Sequence, residues 1–167
     1  ISLYYLNFAP MKILMVCLGN ICRSPLAEGI LQHKLKMAGL QCMVDSAGTN
    51  GYHVGEHPHR LSQKVARDNG IDISMQISRQ FVKEDFNRFD KIYAMADDVI
   101  EEMSNIGKQL YDASKVDLLL NEVYPGENKN VPDPWYGAEN GYHEVYQLIA
   151  TACDEIVAHM LATKQGK

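Results

Sequence analysis

The sequence predicts an α/β fold built on a parallel sheet, and three observations carry that reading. Short apolar runs with the length and bounds of buried strands alternate with segments of helical spacing. The strand candidates are apolar almost throughout, as in Lys12-Ile13-Leu14-Met15-Val16, which is the pattern of strands covered on both faces. The connections are short, and no repeat, low-complexity stretch or linker divides the 167 residues, a length that suits one domain with a good core.

The elements follow in order. A strand over 12–16 leads to a helix over 24–37, with Ser24 and Pro25 as N-cap and first helical residue. A short strand over 41–46 runs into Ala47-Gly48-Thr49, and a loop rich in Gly and His follows. Residues 58–69 carry a helical pattern that Gly70 ends, and 81–86 read as a short turn or helix. A buried strand over 91–95, a helix over 97–106 and a fourth strand over 116–120 come next, then a loop over 122–136. The last helix, 142–161, sets Tyr142, Val145, Ile149, Ala152, Ile156 and Met160 at steps of three or four, an apolar stripe for a core. The domain is expected to span 11–163. Residues 1–10 lack the basic n-region and cleavage site of a signal peptide and read as an upstream extension, with Met11-Lys12 as the natural start.

Composition narrows the function. A hydrophobic content of 46% with 22% charged residues is ordinary for a globular protein. A net charge of −5 without a basic run argues against nucleic acid as a partner. No apolar run approaches the ~18 residues of a membrane span. Cys17, Cys22, Cys42 and Cys153 lack paired Cys-x2-Cys spacing, so they fit a reduced, cytoplasmic protein with one or two working thiols better than structural zinc or a disulfide scaffold. His53, His57 and His59 crowd a polar loop and read as surface residues rather than metal ligands, and Asp97, Asp98, Glu101 and Glu102 as a solvated helix start.

One segment concentrates the chemistry. In Cys17-Leu18-Gly19-Asn20-Ile21-Cys22-Arg23-Ser24 a thiol stands six positions before an arginine, between a strand end and a helix N-terminus. Inward-pointing loop N–H groups and the helix dipole make such a loop an anion site. The same field favours Cys17 as a thiolate nucleophile, and a planar guanidinium at Arg23 can hold two phosphoryl oxygens at once. The plainer reading is a small buried hydrophobe at a strand end, which the placement between strand and helix opposes.

Phosphoryl transfer to a thiolate needs an acid for the leaving oxygen. The candidate is Asp133 in Val131-Pro132-Asp133-Pro134-Trp135-Tyr136-Gly137, stiffened by two prolines and shielded by aromatic neighbours. Read alone, Asp-Pro is equally a surface turn.

Three stretches, residues 16–25, Asp45-Ser46-Ala47-Gly48-Thr49 and Asp133-Pro134-Trp135-Tyr136-Gly137, together resemble the low-molecular-weight protein tyrosine phosphatases. The likeness covers nearly the whole chain, from about residue 11 to 161. It implies a flavodoxin-like three-layer sandwich with four parallel strands and helices on both faces, no metal or cofactor, and a phosphocysteine intermediate. Cys17 is implied as nucleophile, Arg23 as phosphate clamp, and Asp133 as acid and then base. Leu18, Gly19, Asn20, Ile21, Cys22 and Ser24 bind phosphate or support the loop, with the Ser24 hydroxyl on the cysteine sulfur and Asn20 in a left-handed conformation. Leu18, Tyr52, Trp135 and Tyr136 wall a slot for an aromatic ring. Cys22 is the thiol that captures oxidised Cys17 as a disulfide, or else a buried structural thiol. The implied substrate is a phosphotyrosine protein, a tyrosine kinase among the candidates, met by a monomer or weak dimer.

The chain departs from the family at Met95-Ala96-Asp97, where an acidic residue usually follows the Met directly. A histidine that some members carry after the second helix is absent, with Met75 and Gln76 in that region, and Trp135 stands for the usual Tyr. Three rival readings remain. A thioredoxin-coupled arsenate reductase would need mid-chain cysteines, and residues 43–152 have none. An arginine-phosphate phosphatase would carry Thr at Ile21, whose branched apolar side chain suits a phenyl ring. A phosphopeptide-binding module would lack the nucleophile or acid, and both are present.

Overall fold

A computed structural model describes residues 9–165; the extension expected over 1–10 therefore lies almost wholly outside the described residues. Strands β1 (Met11–Cys17), β2 (Cys42–Gly48), β3 (Lys91–Ala94) and β4 (Val116–Leu118) form one sheet in the order β2-β1-β3-β4, every pair parallel. The helices are α1 (Arg23–Met37), α2 (Arg60–Asp68), the short α3 (Asp85–Arg88), α4 (Asp97–Gly107) and α5 (Glu139–Gln165).

Period-two alternation in β1 separates two cores. Ile13, Met15 and Cys17 face α1 and α5 with Leu26, Ile30, Leu31, Tyr142, Val145, Ile149 and Ile156. Leu14 and Val16 face the opposite layer with Phe81, Phe86, Val99 and Met103. Each fully buried Leu, Ile or Phe contributes about 1.5–3 kcal/mol, which is why a central strand with no polar face is stable only between two helical layers.

The elements depart from sequence expectation at their ends. Helix α1 begins at Arg23 with Cys22 as N-cap and no side-chain cap, so Ser24 does not cap it; its hydroxyl is taken by the site. The fourth strand stops at Leu118 and the chain tightens into a 3-10 turn over Leu119–Glu122. Helix α5 starts three residues before Tyr142, through Asn140 and Gly141, with Glu139 favourably in its first turn.

After β2 the chain crosses to the other side of β1, so the strand order reverses at β1. The crevice beyond the carboxyl end of such a strand is where α/β sheets bind ligands. Cys17 is the last residue of β1.

Candidate active site

The loop from Cys17 to Arg23 is shaped by what its carbonyls do. Thr49 N–H donates to Cys17 O at 3.0 Å, Asn50 N–H to Leu18 O at 2.9 Å and His59 N–H to Ile21 O at 2.7 Å. Hydroxyls of Ser78 and Ser62 donate to Gly19 O and Cys22 O at 3.1 and 3.2 Å. A planar peptide sets the next N–H antiparallel to each carbonyl, so carbonyls tied outward turn the amides of 18, 19, 20, 22 and 23 toward the cleft, a nest for an anion. Asn20 takes φ 56°, the left-handed conformation that closes the turn. Gly48 permits the loop to lie on β2: a Cβ there would stand 2.7–2.9 Å from Leu18 O, Asn20 N and Gly19 C.

Cys17 is buried, with Ser24 Oγ at 3.0 Å from its sulfur and the Asn20 N–H donating to it at 3.3 Å. Asn20 Nδ2 donates to both Ser24 Oγ (2.8 Å) and Ser46 Oγ (2.9 Å), and its Oδ1 accepts from Arg79 N at 3.0 Å. Arg79 is itself fixed by Asp45 at 2.9 Å and by both oxygens of fully buried Asp85 at 3.0 and 3.3 Å. The sequence marks no role for Ser46, Arg79 or Asp85 beyond the place of Asp45-Ser46 in a motif, because Asn20, which they support directly or through Arg79, lies far away along the chain.

Arg23, 4% exposed, donates from Nη1 to Val131 O at 3.0 Å and from Nη2 to Asp133 Oδ2 at 3.4 Å. These contacts bring residue 133 beside residue 17. The same segment is pinned by Val131 N to Met95 O at 2.8 Å, and by a reciprocal pair in which Asp97 N and Asn130 Nδ2 donate to each other's side-chain oxygens, both at 3.0 Å. The displaced Asp97 thus clasps the segment that bears Asp133. The other Asp133 oxygen accepts from Trp135 N at 3.1 Å.

Cys17, Leu18, Gly19, Ile21, Cys22, Arg23, Asp133, Trp135 and Tyr136 line one cleft of about 170 Å³, together with Asn50 and His53. Tyr52, expected as a wall, is 86% exposed and does not line it; the neighbouring His53 does, held at 3.0 Å by Glu56. Trp135 packs between His53 and His59 with ring centroids 5.5 and 5.3 Å away, and His59 stacks on Tyr142 at 5.2 Å. His59 Nδ1 accepts from Leu61 N as the cap of α2, and burial, then Arg60, hold this imidazole below its usual range. His57 bonds Gln76 O, so the three loop histidines serve three separate contacts. Near the missing histidine, Gln76 Nε2 donates to Pro25 O at 3.2 Å while its buried Oε1 has no partner among the described residues.

Burial pushes the Cys22 thiol up to about 12, against the lowering effect of its contact with Tyr142 OH at 3.7 Å. It is a protonated thiol at neutral pH. Elsewhere, Asp68, Glu139 and His143 come together in metal-ligand fashion, but the Lys64 ammonium already bonds both carboxylates at 2.8 Å.

The low molecular weight phosphotyrosine protein phosphatase family model matches residues 12–166. A low molecular weight protein-tyrosine-phosphatase of Bacillus subtilis, YfkJ, is 36% identical over 157 residues, 93% of this chain and 99% of that one. The human low molecular weight phosphotyrosine protein phosphatase is 33% identical, covering 87% and 92%. The crystal structure of YfkJ superimposes with a TM-score of 0.86 over 95% of this chain and 99% of its own, at 35% identity. That of a protein tyrosine phosphatase from Entamoeba histolytica gives 0.83 at 35% identity, covering 92% and 99%. The fold is the flavodoxin-like sandwich of these structures, and the chain belongs to the low molecular weight phosphotyrosine protein phosphatase family.

Proposed function

We propose that this chain hydrolyses phosphotyrosine in proteins in two steps at the cleft above β1, with Cys17, Arg23 and Asp133 as its working groups. The observation that carries the reading is their convergence: a sulfur bonded by Ser24 and the Asn20 N–H, a buried guanidinium and a carboxylate on one cleft.

In the first step the Cys17 thiolate attacks phosphorus, the bond to the tyrosyl oxygen breaks, and that oxygen takes the proton of Asp133. Donors of the Ser24 hydroxyl and the Asn20 amide stabilise the sulfur's negative charge before attack and again when it leaves. Loop amides and the Arg23 guanidinium meet the charge on the three equatorial oxygens, the term that dominates phosphoryl transfer. In the second step the Asp133 carboxylate takes a proton from water, the water oxygen attacks phosphorus, and the S–P bond breaks to release phosphate and thiolate. Ile21 and Leu18 line the cleft with Trp135 and Tyr136, an apolar and aromatic lining that suits a phenyl ring better than the guanidinium of phosphoarginine.

The relatives are named as tyrosine phosphatases, and phosphotyrosine proteins are the family's substrates; a tyrosine kinase is one candidate among them. The four cysteines are free thiols, which supports a cytoplasmic setting; no helix of the described residues is long and apolar enough to cross a membrane.

Turnover of phosphotyrosine, phosphoarginine and phosphoserine peptides, with Cys17→Ser as control, tests the reading. Phosphate release from phosphotyrosine should fall on the order of 10³-fold or more in Cys17→Ser while vanadate still binds. Preference for phosphoarginine would reverse the substrate assignment, and substantial residual turnover would remove Cys17 as nucleophile.

A further inference from the structure

We infer that Glu28, on the second turn of α1, is a positioning residue for the phosphate loop, acting through Ser46 and Asn20 on the hydroxyl that faces the nucleophile. The inference rests on the phosphatase reading above and concerns a residue which that reading does not use.

The connection is a continuous run of hydrogen bonds. Ser46 Oγ donates to Glu28 Oε2 at 2.5 Å. Asn20 Nδ2 donates to Ser46 Oγ at 2.9 Å and to Ser24 Oγ at 2.8 Å, and Ser24 Oγ lies 3.0 Å from Cys17 Sγ. Asn20, Ser24 and Ser46 are all buried, so no bulk water substitutes for a lost partner. A hydroxyl has one hydrogen. Because Ser46 gives its hydrogen to Glu28, its lone pairs face Asn20. Because Asn20 donates to both serines, the Ser24 hydrogen points away from it, toward Cys17 Sγ or the more distant Ala47 O at 3.4 Å. The run therefore has one polarity, set at its far end by a carboxylate whose charge strengthens the first bond. Asn20 is also the residue held in the left-handed conformation, so weakening its side-chain bonds releases a backbone that costs energy to hold.

The groups around Glu28 compensate its charge only in part. From α1 itself, Gln32 Nε2 donates to Oε1 at 3.2 Å. From β2 come Ser46 and Asp45, the latter a like charge. From the segment after α2 comes Arg79, whose guanidinium is committed to Asp45 and Asp85. Among the described residues no ammonium or guanidinium forms an ion pair with Glu28. Burial first, with Asp45, pushes this carboxyl up to about 7, against Ser46, Gln32 and Arg79. The anchor thus gains its full strength as pH rises through neutrality, and below that it is a neutral acid that holds Ser46 more weakly.

Glu28→Gln, neutral at every pH and of the same shape, tests this. The measurements are kcat/KM for para-nitrophenyl phosphate and the Kd of vanadate, for wild type and variant, from about pH 5.5 to about 8.5; ligand ionisation cancels in the ratio. The wild-type advantage should be near one at the acid end and rise to about fivefold at the basic end, the difference between a charged and a neutral hydrogen bond. In a Ser46→Ala background the same substitution should have no pH-dependent effect, and Ser46→Ala alone provides the comparison if Glu28→Gln fails to fold. A flat ratio means that Glu28 only packs. A ratio falling below one at high pH means that its charge repels the ligand's phosphate instead of holding the loop. Either overturns the inference. Absence of turnover in wild type would defeat the phosphatase reading, and the vanadate ratio would still decide the role of Glu28.

Discussion

The two sides of the cleft are built on opposite terms. On the phosphate side Cys17, Asn20, Arg23 and Ser24 are buried, and the polar groups of the 17–24 loop are tied down around it: Asn20 to Ser46 of β2 and to Arg79, Cys22 O to Ser62 of α2, and Gly19 O to Ser78. On the acid side Asp133 is 39% exposed, Trp135 41% and Tyr136 94%, and the segment is held at its base by Val131 and Asn130 while its tip meets solvent. A group that must meet developing charge gains from being fixed beforehand, since it then needs no reorganisation at the moment of reaction. A proton donor has to reach leaving oxygens on substrates of different shape and then receive water, which a solvent-facing carboxylate can do.

The difference can be broken from the acid side with the largest effect. Asp133→Ala should lower kcat for phosphotyrosine on the order of 10²–10⁴-fold but cost far less on para-nitrophenyl phosphate, whose leaving group needs no proton. Thermal stability should hardly change, because the carboxylate is exposed and its pair with Arg23 is long at 3.4 Å. Equal losses on both substrates would mean that residue 133 only shapes the cleft.

Gly48→Ala attacks the phosphate side. The added methyl would stand under 3 Å from three backbone atoms of the loop, which a rigid nest cannot yield. Activity and stability should fall together, the latter by about 1–3 kcal/mol, as read by urea denaturation and steady-state kinetics. A variant with wild-type activity would show the loop to be more compliant than its bonds imply.

The last effect, felt in stability at basic pH, sharpens the comparison. Glu28 titrates near 7 in the fold against an ordinary value of 4.5, so folding favours its neutral form. The stability this contributes is complete below about pH 4.5 and is lost as pH rises through about 7, a difference on the order of 3 kcal/mol. Glu28→Gln should therefore match wild type in melting temperature near pH 4 and exceed it at pH 8. Equal melting temperatures at pH 8 would mean that burial does not penalise the carboxylate.

The phosphate side was legible in the sequence because its parts are contiguous: an apolar strand, eight loop residues and a helix start need no long-range knowledge. The local reading fails where tertiary bonds take a side chain for another purpose: Ser24 reads locally as a cap, whereas the family resemblance sets its hydroxyl on the Cys17 sulfur, and there it lies. The support of Asn20 was invisible because Ser46 and Arg79 arrive from β2 and from a segment nearly sixty residues away. Asp133 was identifiable through its motif, yet its approach to Arg23 depends on contacts with Met95 and Asp97 that no local pattern specifies. Tyr52 and His53 are adjacent, and which of them faces the cleft is decided by a bond to Glu56.

Trp135 is the chain's single tryptophan, and it lies on the cleft between two imidazoles. Excited on the long-wavelength side, where the nine tyrosines do not absorb, its emission carries no background from elsewhere in the molecule. An anion entering beside Arg23, or a rearrangement of the acid-bearing segment, alters the indole's surroundings directly. The protein comes with a built-in optical reporter, through which rapid mixing can resolve substrate capture from the chemical step without a label.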